Sequence, residues 1–419
     1  MSDIENDGRG RCAVAFVGNV DHGKSTLIGR LLYDTGAVPP ERLEEIGISE
    51  DGETAGAELA HLMDSLQEER EGGLTIDTTQ VFFETAARDY VFVDAPGHRE
   101  FIRNMMTGAG EADAAVLMVD AAEGVGNQTW RHAFLLSLLG VRNCIVIVNK
   151  MDLVAFEQER FEALRESVLE LAERVDLALL AVIPASAKFG DNVVVASGNM
   201  PWYDGPLAIE ALESIPATET TKLPMRYSVQ DAYAWEDSPV YPGRVESGML
   251  RAGEKARVLP DGFDVTVRAV KRFPEDLSVA ETGACVGVTL AETKEIRRGQ
   301  VLSDPDDLPA TATSFNARLF WLGERPLLSG ETFNARIACQ EGPCTAVAIH
   351  RRVDTATLNI LAEVADRLEE DDVGEVTLFA QRSFVMEEAA CNPALGRILV
   401  EREGEVVGAG VITTIEPKA

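Results

Sequence analysis

Continuous apolar runs of four to six residues, each ending abruptly in polar residues or glycine, punctuate the first half of the chain. They are Cys12 to Val17, Tyr90 to Val93, Cys144 to Val148 and Leu179 to Ile183. Runs without in–out alternation predict strands buried on both faces of a parallel sheet. Between them the period changes to that of a helix. Leu27, Ile28, Leu31 and Leu32 recur at helical spacing over Ser25 to Tyr33. Phe161, Leu164, Val168, Leu171 and Val175, spaced 3, 4, 3 and 4, line one face of a helix predicted over Phe156 to Val175. A further helical stretch, Ala57 to Leu66, sets Leu59, Leu62, Met63 and Leu66 on one face within an insert from Glu41 to Arg70. The alternation persists to about Pro216 and implies an α/β unit over residues 1–216.

Ala217 to Lys222 is polar, has no apolar period and precedes Pro224, so it reads as a linker. From Leu223 to about Asp304 the pattern becomes one of short strands turned by Gly243, Gly248, Gly253, Gly262, Gly283, Gly287 and Gly299, as in a β-barrel. Asp304-Pro305-Asp306-Asp307 interrupts it, and a second all-β unit follows. The expected plan is an α/β domain at 1–216 and barrels at 223–304 and 308–419, which suits a chain of 419 residues.

Each apolar run ends in a motif with chemical meaning. After the first comes Gly18-Asn19-Val20-Asp21-His22-Gly23-Lys24-Ser25-Thr26, with the spacing of a phosphate-binding loop. Glycines at both ends let backbone N–H groups approach a phosphate, and the following helix adds the positive end of its dipole. Lys24 then reaches the β- and γ-phosphates, and the Ser25 hydroxyl suits Mg²⁺. The second run ends in Asp94-Ala95-Pro96-Gly97-His98. Asp94 suits a Mg²⁺ partner through water, the Gly97 N–H a γ-phosphate, and His98 the position of an attacking water. The third ends in Asn149-Lys150-Met151-Asp152, where the Asp152 carboxylate can accept from guanine N1 and N2. The fourth ends in Ser186-Ala187-Lys188, where a backbone N–H can meet guanine O6. Four strand-end motifs in this order imply one Mg·GTP site.

These words resemble the translation-factor superfamily of GTPases, which includes elongation factor Tu. Val20 to Thr26, Gly73-Leu74-Thr75-Ile76-Asp77 and Asp94 to His98 are similar to its first three nucleotide motifs. The likeness continues through Arg103-Asn104-Met105-Met106-Thr107-Gly108-Ala109 to Gly396-Arg397-Ile398 and Gly408-Ala409-Gly410. It implies an α/β P-loop GTPase domain followed by two all-β barrel domains that report the nucleotide state. It implies that Thr75 ligates Mg²⁺ only beside a γ-phosphate, and that Val20 and Leu74 form an apolar gate around a catalytic His98. Gly72 stands where the family carries Arg, which alters the charge and stiffness of that switch. The Glu41 to Arg70 insert reads as a flap over the nucleotide, or as a segment rearranged when Thr75 is drawn in.

Two branches of the superfamily share that insert: carriers of aminoacyl-tRNA, and the GTPase subunit of bacterial sulfate adenylyltransferase. Gln128-Thr129-Trp130-Arg131-His132, Ser137-Leu138-Leu139-Gly140 and Asn149 to Val154 are more similar to the second. Charge points the same way. Lys and Arg total 38 against 70 Asp and Glu, a formal charge of −32. RNA binding needs clustered cations to neutralise phosphates, and the longest basic runs are the pairs Lys271-Arg272, Arg297-Arg298 and Arg351-Arg352. A salt-adapted cytoplasm yields similar acidity. The expectation is a GTP-hydrolysing, Mg²⁺-dependent subunit in a hetero-oligomer. Its partner, the small adenylyltransferase subunit, makes adenylyl sulfate from ATP and sulfate, since this chain has one phosphate loop and no second site for ATP and sulfate. Delivery of aminoacyl-tRNA is the alternative.

Six cysteines form no C-x-x-C pair and read as free thiols, with Cys339 and Cys344 close enough to face each other across a hairpin. His61, His132 and His350 carry no readable partner. Met1 to Arg11 lacks an apolar targeting stretch, and no run reaches membrane-spanning length, so a cytoplasmic location is expected.

Overall fold

The computed structural model describes residues 11–38, 79–85, 88–94, 112–138, 140–141, 143–216, 222–235, 238–272, 275–354 and 359–416. The Ala57 to Leu66 helix and its insert, Gly72, Leu74, Thr75, Gly97, His98 and Arg103 to Ala109 lie outside the described residues.

The first unit is a sheet with helices on both faces. Its strands are β1 (Arg11–Val17), β2 (Thr79–Glu84), β3 (Asp89–Asp94), β4 (Ala114–Asp120), β5 (Asn143–Asn149) and β6 (Ala178–Pro184), in the order β2-β3-β1-β4-β5-β6. All neighbours are parallel except β2, which runs antiparallel to β3 and makes the sheet mixed. The four predicted strands are present. β2 and β4 join them without having been singled out, although β4 is apolar from Ala114 to Val119 and buried along its length.

Helix α1 (Lys24–Asp34) buries Leu27, Ile28, Leu31 and Leu32 against Val14, Phe16, Ile145 and Ile147. Helix α2 (Asn127–Leu138) follows β4. Helix α3 (Gln158–Val175) sets Phe161 and Leu164 against Val148 and Met151, on the other face, since successive strand residues point to opposite sides. Helix α4 (Ala208–Glu213) adds Ala208, Ala211 and Leu212 to the α1 side. The α3 prediction was long at its start. Met151–Val154 forms a 3-10 turn, and Ala155 and Phe156 are left-handed (φ 53° and 57°), so the chain reverses before the helix begins at Gln158.

The rest forms two closed antiparallel barrels of six strands each. In the first, the strand order is 255–259, 301–303, 226–229, 238–247, 285–290 and 263–272, which pairs back to 255–259. The second runs 332–337, 397–402, 405–416, 310–321, 372–386 and 340–354, closing on 332–337. Closure pairs the edges that an open sheet exposes. Two glycines read as turns are inside strands. A Cβ on Gly243 would lie 2.2 Å from the Ser228 carbonyl, and Gly287 sits beside Val240, so both permit close strand packing rather than reversal.

Between the barrels, Arg226 is 1% exposed. Its guanidinium donates to both Glu387 carboxylate oxygens (3.3 and 2.9 Å), to Asp307 Oδ1 (2.9 Å) and to the Asp307 carbonyl (2.9 Å). Asn392 Nδ2 donates to Glu387 and to the Ser247 hydroxyl, extending the network across the junction.

All six cysteines are free. Burial pushes the Cys12 and Cys144 thiols up to about 12, so both stay protonated and inert near neutrality. His350 Nε2 lies 2.7 Å from the Thr377 hydroxyl, and His132 is buried in α2. Among the described residues no helix is long and apolar enough to cross a membrane.

Candidate functional site

The carboxyl ends of parallel strands form one rim, and ligands of open α/β sheets bind there, where the strand order reverses. Here β1 lies between β3 and β4, so the loop after β1 opens at such a reversal. Gly18 leaves β1 at φ +151°, and a Cβ on it would meet Met118 at 2.9 Å. Gly23 caps α1 at φ +89°, where a Cβ would sit 2.4 Å from Asn149 Nδ2. A side chain at Gly18 would require movement of β4, and one at Gly23 displacement of the Asn149 amide as well as a strained positive φ. An α-helix has no internal acceptors for its first N–H groups, so its start at Lys24, Ser25 and Thr26 is the kind of helix end that suits an anion.

Lys24 Nζ donates to the Gly18 and Asn19 carbonyls, both at 3.0 Å, and so spans its own loop. Asn19 Oδ1 accepts from the Val20 N–H, and Asp21 adopts a left-handed conformation. Val20, the predicted gate residue, stands 71% exposed at the loop tip. Its companions Leu74 and His98 are outside the described residues. His22 is buried, with Nδ1 3.1 Å from the Met118 carbonyl and Nε2 3.2 Å from Glu123 Oε2. Its side chain anchors the loop to β4.

On the far side, β5 and β6 deliver the base-reading candidates. Asn149 is buried and donates through Nδ2 to the His22 carbonyl (2.9 Å), while its Oδ1 accepts from the Ala187 N–H (2.9 Å). One side chain therefore ties the phosphate loop to the turn after β6. Ser186 Oγ donates to Asp152 Oδ1 at 2.6 Å, which aims that half-buried carboxylate. The turn's N–H groups are partly committed: Ser186 N–H goes to the Asp191 carbonyl, and Ala187 N–H to Asn149. Lys188 supplies the third, and its Nζ lies 5.0 Å from the Phe189 ring centroid.

Asp120, which sequence reasoning missed, closes the arrangement. It is buried at the end of β4, accepts from Lys150 Nζ (2.8 Å), and takes the N–H groups of Ala122 (2.7 Å) and Glu123 (3.2 Å). Burial pushes its carboxyl up, but Lys150 and the two N–H donors outweigh burial and hold it below the ordinary carboxylate range. The available signal was a lone carboxylate closing the apolar run Ala114 to Val119.

For Mg²⁺, the described donor is the Ser25 hydroxyl at the start of α1, with the Asp94 position at the end of β3. A hydroxyl oxygen is a hard donor of the kind this ion takes, so Ser25 fits it.

Matches to family models cover most of the chain. Residues 10–233 match the elongation factor Tu GTP binding domain. Residues 240–303 match elongation factor Tu domain 2, and 314–413 the GTP-eEF1A C-terminal domain-like family. The chain belongs to the elongation factor Tu family of GTPases. Within that family it is similar to proteins of two names. Elongation factor 1-alpha of Archaeoglobus fulgidus is 38% identical over 97% of this chain and 98% of its own length. That of Methanocaldococcus jannaschii is 38% identical over 97% of each. Sulfate adenylyltransferase subunit 1 of Laribacter hongkongensis is 38% identical over 96% of this chain and 85% of its own length. Identity alone therefore leaves this GTPase between two roles.

Proposed function

We propose that this chain is the GTPase subunit of a sulfate-activating enzyme, coupling GTP hydrolysis to adenylyl sulfate synthesis on a separate adenylyltransferase subunit. The observation favouring this role over tRNA delivery is that three of the six residues in the basic pairs lie against carboxylates, while Arg298 donates to the Gln230 carbonyl. Lys271 Nζ lies 3.3 Å from Asp276, Arg352 Nε 2.5 Å from Asp372, and Arg351 3.9 Å from both Glu363 and Glu375. A cation held by a carboxylate must break that pair before it neutralises a phosphate, so the electrostatic gain that drives RNA binding is reduced. The near-complete coverage of elongation factor 1-alpha keeps the tRNA carrier as the second reading.

In the proposed mechanism GTP lies across the strand ends of the 1–216 domain, ahead of barrel domains at 223–304 and 308–419. Gly18 to Thr26 hold the phosphates, and Lys24 leaves its two carbonyls for them. Asp152 accepts from guanine N1 and N2. Because the Ala187 N–H is engaged by Asn149, the Lys188 N–H is the donor for O6. Ser25 and Thr75, with Asp94 through a water, would hold Mg²⁺, which would supply charge neutralisation at the phosphates. Val20 and Leu74 part to let His98 orient water against the γ-phosphate, and Gly97 donates its N–H there. The location is the cytoplasm.

The test is purification of the tagged chain from its native lysate with a non-hydrolysable GTP analogue, identifying bound protein and RNA. A stoichiometric adenylyltransferase subunit without tRNA supports the proposal. Bound aminoacyl-tRNA without that subunit overturns it.

A further inference from the structure

The C-terminal barrel carries an apolar surface that the nucleotide chemistry does not use. Ile360, Leu361 and Val364 are 47%, 51% and 83% exposed, and Leu328 and Val347 are each about half exposed. Backbone pairing brings the segments that carry them together. Strand 360–362 lies on strand 340–354 at Arg352 and Val353, and the Ala365 N–H donates to the Ile349 carbonyl. Leu328 pairs with Arg367, the Ser329 N–H donates to the Asp366 carbonyl, and the Ser329 hydroxyl to the Val347 carbonyl. Large apolar side chains grouped this way on a water-facing surface mark an interaction site more often than a solvated one.

The rim is acidic. Glu363, Asp366, Glu369, Glu370 and Glu375 flank the patch in sequence, with Arg367 the sole cation between 359 and 375. The nearby guanidinia are already held: Arg367 lies 2.7 Å from Glu369, and Arg351 lies within 3.9 Å of Glu363 and Glu375. Such a surface repels a phosphate backbone and suits a polypeptide face with an apolar centre and a Lys- and Arg-rich rim, the usual anatomy of a protein interface with complementary charge.

We infer that the patch formed by Leu328, Val347, Ile360, Leu361 and Val364 is the docking face for the partner subunit, which meets it with an apolar centre ringed by basic residues. This inference rests on the sulfate-activation reading, and its test separates the two. Affinity of the purified adenylyltransferase subunit is measured for the full-length protein and for Leu361→Ser/Val364→Ser, with Leu169→Ser, an exposed apolar residue on α3, as control. The double variant is expected to weaken binding at least about tenfold, the loss typical of central interface residues. Intrinsic GTP hydrolysis and melting temperature stay unchanged in that variant, and Leu169→Ser binds as the parent does. A second variant, Glu363→Lys/Glu375→Lys, weakens binding further at low salt than at high salt. If the parent binds the subunit and all variants bind equally well, the docking face is elsewhere and this inference falls alone. If the parent binds no subunit but binds tRNA, and the double variant loses the tRNA, both this inference and the sulfate-activation reading fall.

Discussion

The role proposed for Asp152 in guanine selectivity rests on one chemical fact: a carboxylate accepts two N–H donors, and an amide offers one acceptor and one donor group. Its Oδ1 is already oriented by Ser186 at 2.6 Å. Asp152→Asn should therefore shift preference from guanine to xanthine nucleotides, measured as the ratio of GDP to XDP affinity. An unchanged ratio contradicts the assignment. Asp120 gives a pH prediction. Its folded carboxyl titrates below the unfolded value of about 3.9, so its contribution is fully present above that value and disappears as pH falls through the folded one. The stability gap between the parent and Asp120→Asn should hold from neutrality to about pH 5 and close below about pH 4, as read by denaturant unfolding at each pH. Sequence reasoning named Asp152 because four residues in a row define its motif. It missed Asp120 because that role depends on Lys150, thirty positions later, which only parallel pairing of β4 with β5 brings near.

At the scale of elements, the site is a property of strand ends held in register. Asn149 is the joint: it bonds the loop after β1 through the His22 carbonyl and the turn after β6 through the Ala187 N–H. Asn149→Ala leaves two buried backbone groups unpaired, at about 1–3 kcal/mol each. The expected result is a lower melting temperature for the nucleotide-binding unit and GTP affinity reduced at least about tenfold, checked by calorimetry on the same sample. A loss of affinity with unchanged melting would mean that Asn149 only touches the base. The helix α1 was readable because its four apolar residues and its motif agree. The start of α3 was not, because Phe156 is apolar and in phase yet sits in a left-handed turn, and phase carries no information about φ. Strand β2 has Val81 and Phe83 buried and Phe82 exposed, an alternation too short to separate from a loop.

Across the whole molecule, the two barrels were legible as a change from helical period to frequent glycine turns, but the joint between them was not. Arg226, Asp307 and Glu387 lie far apart in sequence, and no local pattern pairs them. Arg226→Ala leaves the mostly buried Glu387 without its cation and should destabilise the barrel pair by about 3–5 kcal/mol. Guanidinium unfolding checks this, and a change below about 1 kcal/mol would place the ion pair in the solvated class. The formal charge of −32 supports the proposed protein partner over RNA, because RNA binding needs clustered cations. The central claim is coupling, and one measurement reaches it: GTP hydrolysis by the purified chain with and without the adenylyltransferase subunit, ATP and sulfate, following adenylyl sulfate in the same reaction. Coupling predicts that hydrolysis rises only when all three are present, that adenylyl sulfate accumulates beyond its level without GTP, and that His98→Ala lowers the stimulated rate by about a hundredfold. Hydrolysis indifferent to subunit and sulfate, and stimulated instead by ribosomes with aminoacyl-tRNA, would contradict it.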